Sequence, residues 1–232
     1  MIVGGYDPAW YKFLSDAQIV DLSNETKSCG NLPEYPFAMD DATGAFVSGS
    51  PIICGGNSGY NYYSECYLHS KATNSWSFLT NMTSKRVDSA SVSLKGKLFM
   101  MGGNDGVNDT ASTEYVQDGK AAQAGPNLPT PLSAHCAVKL SNGKVILLGG
   151  GSEGKGVLIF DPEAETFDQS LPSMTHGRWN HACVVFKSSL HENREVVFAL
   201  LGWNQNTTEV LDYTQPNSTW TESNYHMRAI IF

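Results

Sequence analysis

A short apolar run closed by a pair of glycines recurs along the chain, and this repeat constrains the fold more tightly than any other feature. It reads Ile2-Val3-Gly4-Gly5, Ile53-Cys54-Gly55-Gly56, Met100-Met101-Gly102-Gly103 and Leu147-Leu148-Gly149-Gly150, with a degenerate fifth copy in Leu200-Leu201-Gly202-Trp203. Taking the first glycine at 4, 55, 102, 149 and 202, the period is roughly 50 residues. Other marks keep phase with the glycines. Upstream, Leu94-Lys95-Gly96-Lys97-Leu98 and Leu140-Ser141-Asn142-Gly143-Lys144-Val145 place turn residues between apolar runs, a hairpin signal. Downstream, a further short strand is expected over 65–68, 113–116, 156–161 and 208–212. A turn and an aromatic follow at Trp76, Phe167 and Trp220. Each unit then passes through a Pro- or Met-containing link, such as 81–86 or 171–178, into a fresh strand.

This pattern resembles the kelch family: an Arg before the first strand, Gly-Gly closing the second, Tyr on the third and Trp on the fourth. The resemblance runs over nearly the whole chain. Trp keeps its place in two units, Trp76 and Trp220, and Arg in three, Arg86, Arg178 and Arg228, with Ser133 standing in the Arg place of another. It implies an all-β fold, a single β-propeller domain over 1–232 with about five four-stranded blades, or part of a six- or seven-bladed propeller. Residues 1–5 read as a second strand without its first, and 228–232 as a first strand without its second. The two ends are therefore expected to share one blade and so hide two sheet edges. Glycine pairs permit close backbone passage at φ values that other residues resist. The Tyr and Trp rings fill the space between stacked sheets.

The 232-residue composition agrees with this reading. It holds 41% hydrophobic and 16% charged residues with 22 glycines, the balance of a globular chain with a real core and many turns. A formal net charge of −8 repels phosphate backbones, so no nucleic-acid partner is expected. No apolar run reaches the length of a membrane helix, so no membrane span is expected. The chain starts as though in mid-repeat and shows no signal peptide, as a fragment, an incomplete sequence or a permuted form would.

Cys54 ends one strand and Cys66 begins its hairpin neighbour, within reach of a disulfide; a bridge and two buried thiols both fit. Cys136 and Cys183 lie in first strands of adjacent units and are read as out of register, with Cys136 matched to His181. They are expected as packed thiols. Cys29 is left over. Five sequons, at Asn24, Asn81, Asn108, Asn206 and Asn217, fall in turns or links where a glycan is accommodated. Together with a disulfide they point to the extracellular space or the cell surface, the alternative being cytoplasmic.

No catalytic motif is recognisable. His135 and His181 sit just after interblade links near cysteines, where a metal site is conceivable, but polar side chains lining a wet channel are the simpler expectation. No metal and no cofactor are therefore expected. Kelch-type propellers also include copper radical oxidases, with Tyr and His ligands and a Cys–Tyr crosslink. Cys29, Cys54 and Cys66 have Tyr neighbours, but that ligand set does not map onto this chain. The reading is of a non-catalytic scaffold that binds another protein or a glycan, with such an enzyme as the alternative. By the resemblance, the partner meets the face carrying the loops after Gly-Gly and the interblade links. On it are expected Tyr6, Trp10, Tyr60, Tyr62, Arg86, Asn104, Asp105, Arg178, Trp179 and Trp203, residue types that dominate interface energies.

Overall fold

A computed structural model describes residues 1–19, 30–203 and 205–223. Among them the chain is all-β, built of five antiparallel sheets laid down in sequence order, with one 3₁₀ turn at Ser189–His191 and no α-helix. The first sheet holds β1 (Ile2–Asp7), β2 (Lys12–Ile19) and β3 (Gly30–Asn31). The second holds β4 (Thr43–Val47), β5 (Ser50–Cys54), β6 (Glu65–Ser70) and β7 (Ser75–Asn81). The third holds β8 (Ala90–Leu94), β9 (Lys97–Met101), β10 (Thr113–Val116) and β11 (Gln123–Ala124). The fourth holds β12 (Cys136–Lys139), β13 (Val145–Leu148), β14 (Val157–Asp161) and β15 (Thr166–Asp168). The fifth holds β16 (Ala182–Ser188), β17 (Arg194–Leu200), β18 (Thr208–Leu211) and β19 (Thr221–Glu222). Each sheet is a meander in chain order. No helix of the described residues is long and apolar enough to cross a membrane.

The second strands explain how the sheets pack. Leu98, Phe99, Met100 and Met101 are all fully buried, which a strand with one wet face does not allow. Leu98 and Met100 join Val47, Ile52, Cys54 and Cys66 of the second sheet. Phe99 and Met101 turn the other way and join Val145, Leu147, Leu158 and Phe160 of the fourth. On β13 the alternation repeats: Ile146 and Leu148 pack with Val197, Ala199 and Leu211 of the fifth sheet. The first sheet is applied to the second through Met1 and Val3, against Ile53, Tyr67, Trp76 and the link residues Tyr35 and Met39. The sheets therefore stack face to face in chain order. Their first strands lie side by side, β4 by β8, β8 by β12 and β12 by β16.

A ladder of main-chain hydrogen bonds runs along this inner side. Asp88 N donates to Asp41 O at 3.2 Å, Ala134 N to Asp88 O at 2.9 Å, and Asn180 N to Ala134 O at 2.9 Å. All four residues have positive φ, from 48° to 55°. Each precedes a first strand, so the left-handed kink is one device repeated four times, uncommon for side-chain-bearing residues.

This ladder fixes the repeat register and corrects two expectations. The second glycine of each pair donates its amide to the carbonyl of the link ahead: Gly5 to Met39, Gly56 to Arg86, Gly103 to Leu132 and Gly150 to Arg178. Leu132, not Ser133, thus stands in the Arg place. In the fifth unit Leu201 N bonds Thr207 O as Gly102 N bonds Ser112 O. Leu201, at φ 55°, therefore replaces the first glycine and Gly202 is the second. The expected Arg228 and the pairing of 228–232 with 1–5 lie outside the described residues.

The indoles of Trp76 and Trp220 act as the sequence implies. Each sits on or beside a fourth strand and donates Nε1–H to a link carbonyl, Pro33 O and Pro172 O respectively, both at 2.9 Å.

Candidate binding face

The loops between second and third strands are built on a shared frame that the sequence reading placed wrongly. Arg86 and Arg178 are completely buried, so neither guanidinium is offered to a partner. Arg86 donates to Gly102 O, to Ser112 O at 3.0 Å, to Ser112 Oγ at 3.0 Å and to Glu114 Oε1 at 2.8 Å. Arg178 repeats the set on Leu201 O and Thr207 O, both at 2.7 Å, Thr207 Oγ1 at 3.0 Å and Glu209 Oε2 at 3.1 Å. Each Arg thus ties both ends of one loop together. Its planar fork of donors suits this task.

The paired carboxylates are equally enclosed. Glu114 also accepts from Thr83 N at 2.8 Å, and Glu209 from Thr175 N at 2.8 Å. Desolvation is the largest single effect on the Glu209 carboxyl and raises it, but hydrogen bonds from Thr175, His176 and Arg178 together outweigh it and hold the group below its ordinary range. In the fourth sheet the corresponding pair is Leu132 and Leu158, packed together in the core, beside a cavity of about 250 Å³. In the second sheet it is Met39 and Tyr67. Sequence reasoning missed Glu114 and Glu209. The usable signal is Thr-Glu at the start of a third strand, at 113–114 and 208–209, present in the two units whose link carries a described Arg.

The loops themselves interlock. Asn57 donates to Asp40 Oδ1 at 2.6 Å and accepts from Gly59 N at 2.9 Å. Asn104 donates to Asp109 Oδ1 at 2.9 Å and accepts from Gly106 N at 2.8 Å. Asp105 accepts from Val107 N and Asn108 N, both at 2.8 Å, and these bonds lower its pKa. Asn104 and Asp105 therefore shape their loop. Tyr62 lies over Gly106, where a Cβ would come within 2.8 Å of the ring. Trp179 lies over Gly154 and Gly177 and donates Nε1–H to Gly151 O at 2.6 Å. Both rings clamp one loop to the next.

What remains open is aromatic. Tyr6, Trp10, Tyr60 and Trp203 are 42%, 80%, 98% and 67% exposed, and Tyr11, which the sequence reading omitted, is 84% exposed. Phe13 packs against Tyr6 at 5.1 Å and touches the Gly59 position. This contact brings Tyr6, Trp10 and Tyr11 of the β1–β2 turn to the same corner as Tyr60. Trp203 stands apart in the fifth unit, its amide bonded to Trp179 O at 2.8 Å.

Where links and loops meet, four aspartates gather. Desolvation, with Asp41, Asp40 and Asp109 nearby, raises Asp88 to about 6. Asp40 and Asp41 are raised too, desolvation being the largest cause for each. Next to them the histidines depart from expectation. His135 and His181 occupy equivalent places, one residue after Ala134 and Asn180, and both are buried rather than bathed in a wet channel. Burial lowers His135 to about 3 and His181 to about 4, so both imidazoles are neutral near pH 7.

The four described cysteines are paired. Cys54–Cys66 closes across β5 and β6, with Cα atoms 4.1 Å apart. Neither sulfur is then free for a crosslink to Tyr. Cys136 and Cys183, expected as packed thiols, form a second disulfide with Cα atoms 6.0 Å apart. The expected match of Cys136 with His181 does not hold: Cys136 pairs with Leu148 and Ala182 with Leu200, so Cys136 is level with Ala182. Cys183 is a single residue further on, on strands that run side by side, and the bridge closes. Cys29 and Asn24 lie outside the described residues. The sequon residues Asn81, Asn108, Asn206 and Asn217 are all exposed. Among the described residues no three His, Cys, Asp or Glu side chains come together as metal ligands. Neither a protein-family model nor a curated protein matches this sequence.

Proposed function

We propose that the five sheets are blades of a kelch-type propeller, whole or in part, and that the chain is a non-catalytic scaffold docking another protein or a glycan through one loop face. The observation that carries this reading is the corner of exposed aromatics, Tyr6, Trp10, Tyr11 and Tyr60, on loops ordered by their own side-chain bonds, Asp7 accepting from Ala9 N and Trp10 N, and Asn57 bonded to Asp40 and Gly59. Rigid, wet aromatic rings on ordered loops give large contact area at small entropic cost. The propeller reading is supported by stacking in chain order, neighbouring first strands and the repeated kink of the inner ladder. The gathered aspartates favour a neutral or basic partner over an anionic one. Two disulfides fit the extracellular space or the cell surface, as do the exposed sequons.

The test is binding of the intact protein to arrays of glycans and of cell-surface ectodomains, repeated with Trp10→Ala/Tyr60→Ala. The expected result is a neutral or basic ligand whose affinity falls at least about tenfold in the variant, at unchanged thermal stability. Full affinity in the variant contradicts the reading.

A further inference from the structure

We infer that Cys136–Cys183 is a thiol-exchange site, opened by a low-molecular-weight thiol in the folded protein, with Cys136 as the leaving sulfur. The two disulfides differ in setting. Cys54 and Cys66 have no exposure and sit inside the cluster of Val47, Ile52, Met82, Leu98, Met100 and Val116. Cys136 and Cys183 keep partial exposure on the first strands of adjacent sheets, at the margin of the cluster of Ile146, Leu148 and Val197 rather than inside it, so of the two bridges this is the one nearer solvent and an attacking thiolate.

The second pair also has a partner. His181 Nε2 lies 3.2 Å from Cys136 Sγ, while its Nδ1 has no hydrogen bond. A disulfide sulfur has no proton to give, so this hydrogen bond is made by the neutral Nε2–H tautomer, with Sγ accepting. The ring is seated there by glycine: a Cβ at Gly149 would fall 2.5 Å from His181 Cε1. A thiolate formed on Cys136 accepts this hydrogen bond, and a stabilised thiolate leaves faster. Among the described residues no such donor faces Cys183.

The exchange balances as follows. A thiolate RS⁻ attacks Cys183 Sγ, the S–S bond breaks, and its electron pair departs on Cys136. A second RS⁻ attacks the external sulfur of the mixed disulfide and releases the Cys183 thiolate. The protein disulfide is reduced to two thiols, two RSH are oxidised to RSSR, and the two protons lost by RSH are returned through solvent. The sheets stay joined meanwhile, because Ile146, Leu148, Val197, Ala199 and Leu211 pack between them without the bridge. The reaction is therefore reversible within the fold.

The experiment uses the oxidised protein with any free thiol, Cys29 included, first blocked by N-ethylmaleimide. Glutathione is titrated at pH 7.5 without denaturant, followed by acid quench, alkylation and peptide mapping, with circular dichroism in parallel. The expected result is a glutathione adduct on Cys183 and alkylation at Cys136 while Cys54–Cys66 stays intact and the spectrum is unchanged. His181→Phe is expected to slow opening by about tenfold. Opening of Cys54–Cys66 first, loss of both bridges together with the spectrum, or an adduct on Cys136 would overturn the inference. These outcomes are read in the unmodified sequence, so they decide the matter even if the His181 variant fails to fold.

Discussion

Arg86 and Arg178 are charged side chains with no contact with water, and each is held by the same four groups. A buried ion pair gives little net stability over an apolar pair of similar shape, but removing one partner strands a charge at a cost of about 3–5 kcal/mol. The chain itself carries the comparison, since Leu132 and Leu158 fill the equivalent positions of the fourth sheet. Arg178→Leu and Glu209→Leu are each expected to destabilise strongly in urea titrations. The double variant should lose less than the sum of the two by roughly 2 kcal/mol; strict additivity would deny the coupling. Asp88 makes a prediction of opposite sign. Its folded pKa, about 6, lies above its ordinary 3.8, with Asp41, Asp40 and Asp109 facing it. The folded state therefore binds its proton first, and stability is lost as pH rises from about 4 through 6. His135 and His181 oppose this, because their folded values fall below 6.5 and the unfolded chain protonates first as pH drops. Asp88→Asn should raise stability at pH 7 by about 1 kcal/mol, allowing for partial exposure, with the gain vanishing near pH 4. Unfolding midpoints across this range check it, and a less stable variant at pH 7 contradicts it.

At the level of elements, the strands were legible and the register of the links was not. Runs such as Leu98–Met101 read as strands because they are apolar without interruption, and the structure buries both their faces against neighbouring sheets. The hairpin at Lys95-Gly96 was legible for the same local reason: both residues take positive φ, 49° and 74°, as that turn requires. The link positions depend instead on hydrogen bonds between distant residues. Leu132 was hidden because a leucine carries no trace of the Arg whose backbone place it takes. Leu201 was hidden because a side-chain-bearing residue adopts the conformation glycine holds elsewhere. Reading Gly202 as the first glycine shifted the fifth unit by one residue, whereas the Cys136–Cys183 bridge was legible in the spacing and overlooked: Cys136 follows Gly102 at the same distance as Cys183 follows Gly149. The exposed residues of the proposed face were half legible. Exposed Trp10, Tyr60 and Trp203 follow from their loops, whereas the roles of Tyr62 and Trp179 depend on which loop lies next door. Tyr11 gave no signal beyond its neighbour Trp10.

For the whole molecule, the placing of faces and loops depends on the five sheets being stacked in chain order with their first strands together. The two disulfides report on this at different ranges. Cys54–Cys66 spans 12 residues within one sheet and forms in any arrangement that keeps the hairpin. Cys136–Cys183 spans 47 residues and forms only where β12 and β16 lie side by side. The most direct measurement is peptide mapping of the native protein without reduction. Peptides linked 54–66 and 136–183 are the expected result. Crosslinks of Cys54 or Cys66 to Cys136 or Cys183 would contradict it, since those residues belong to sheets that the stack keeps apart.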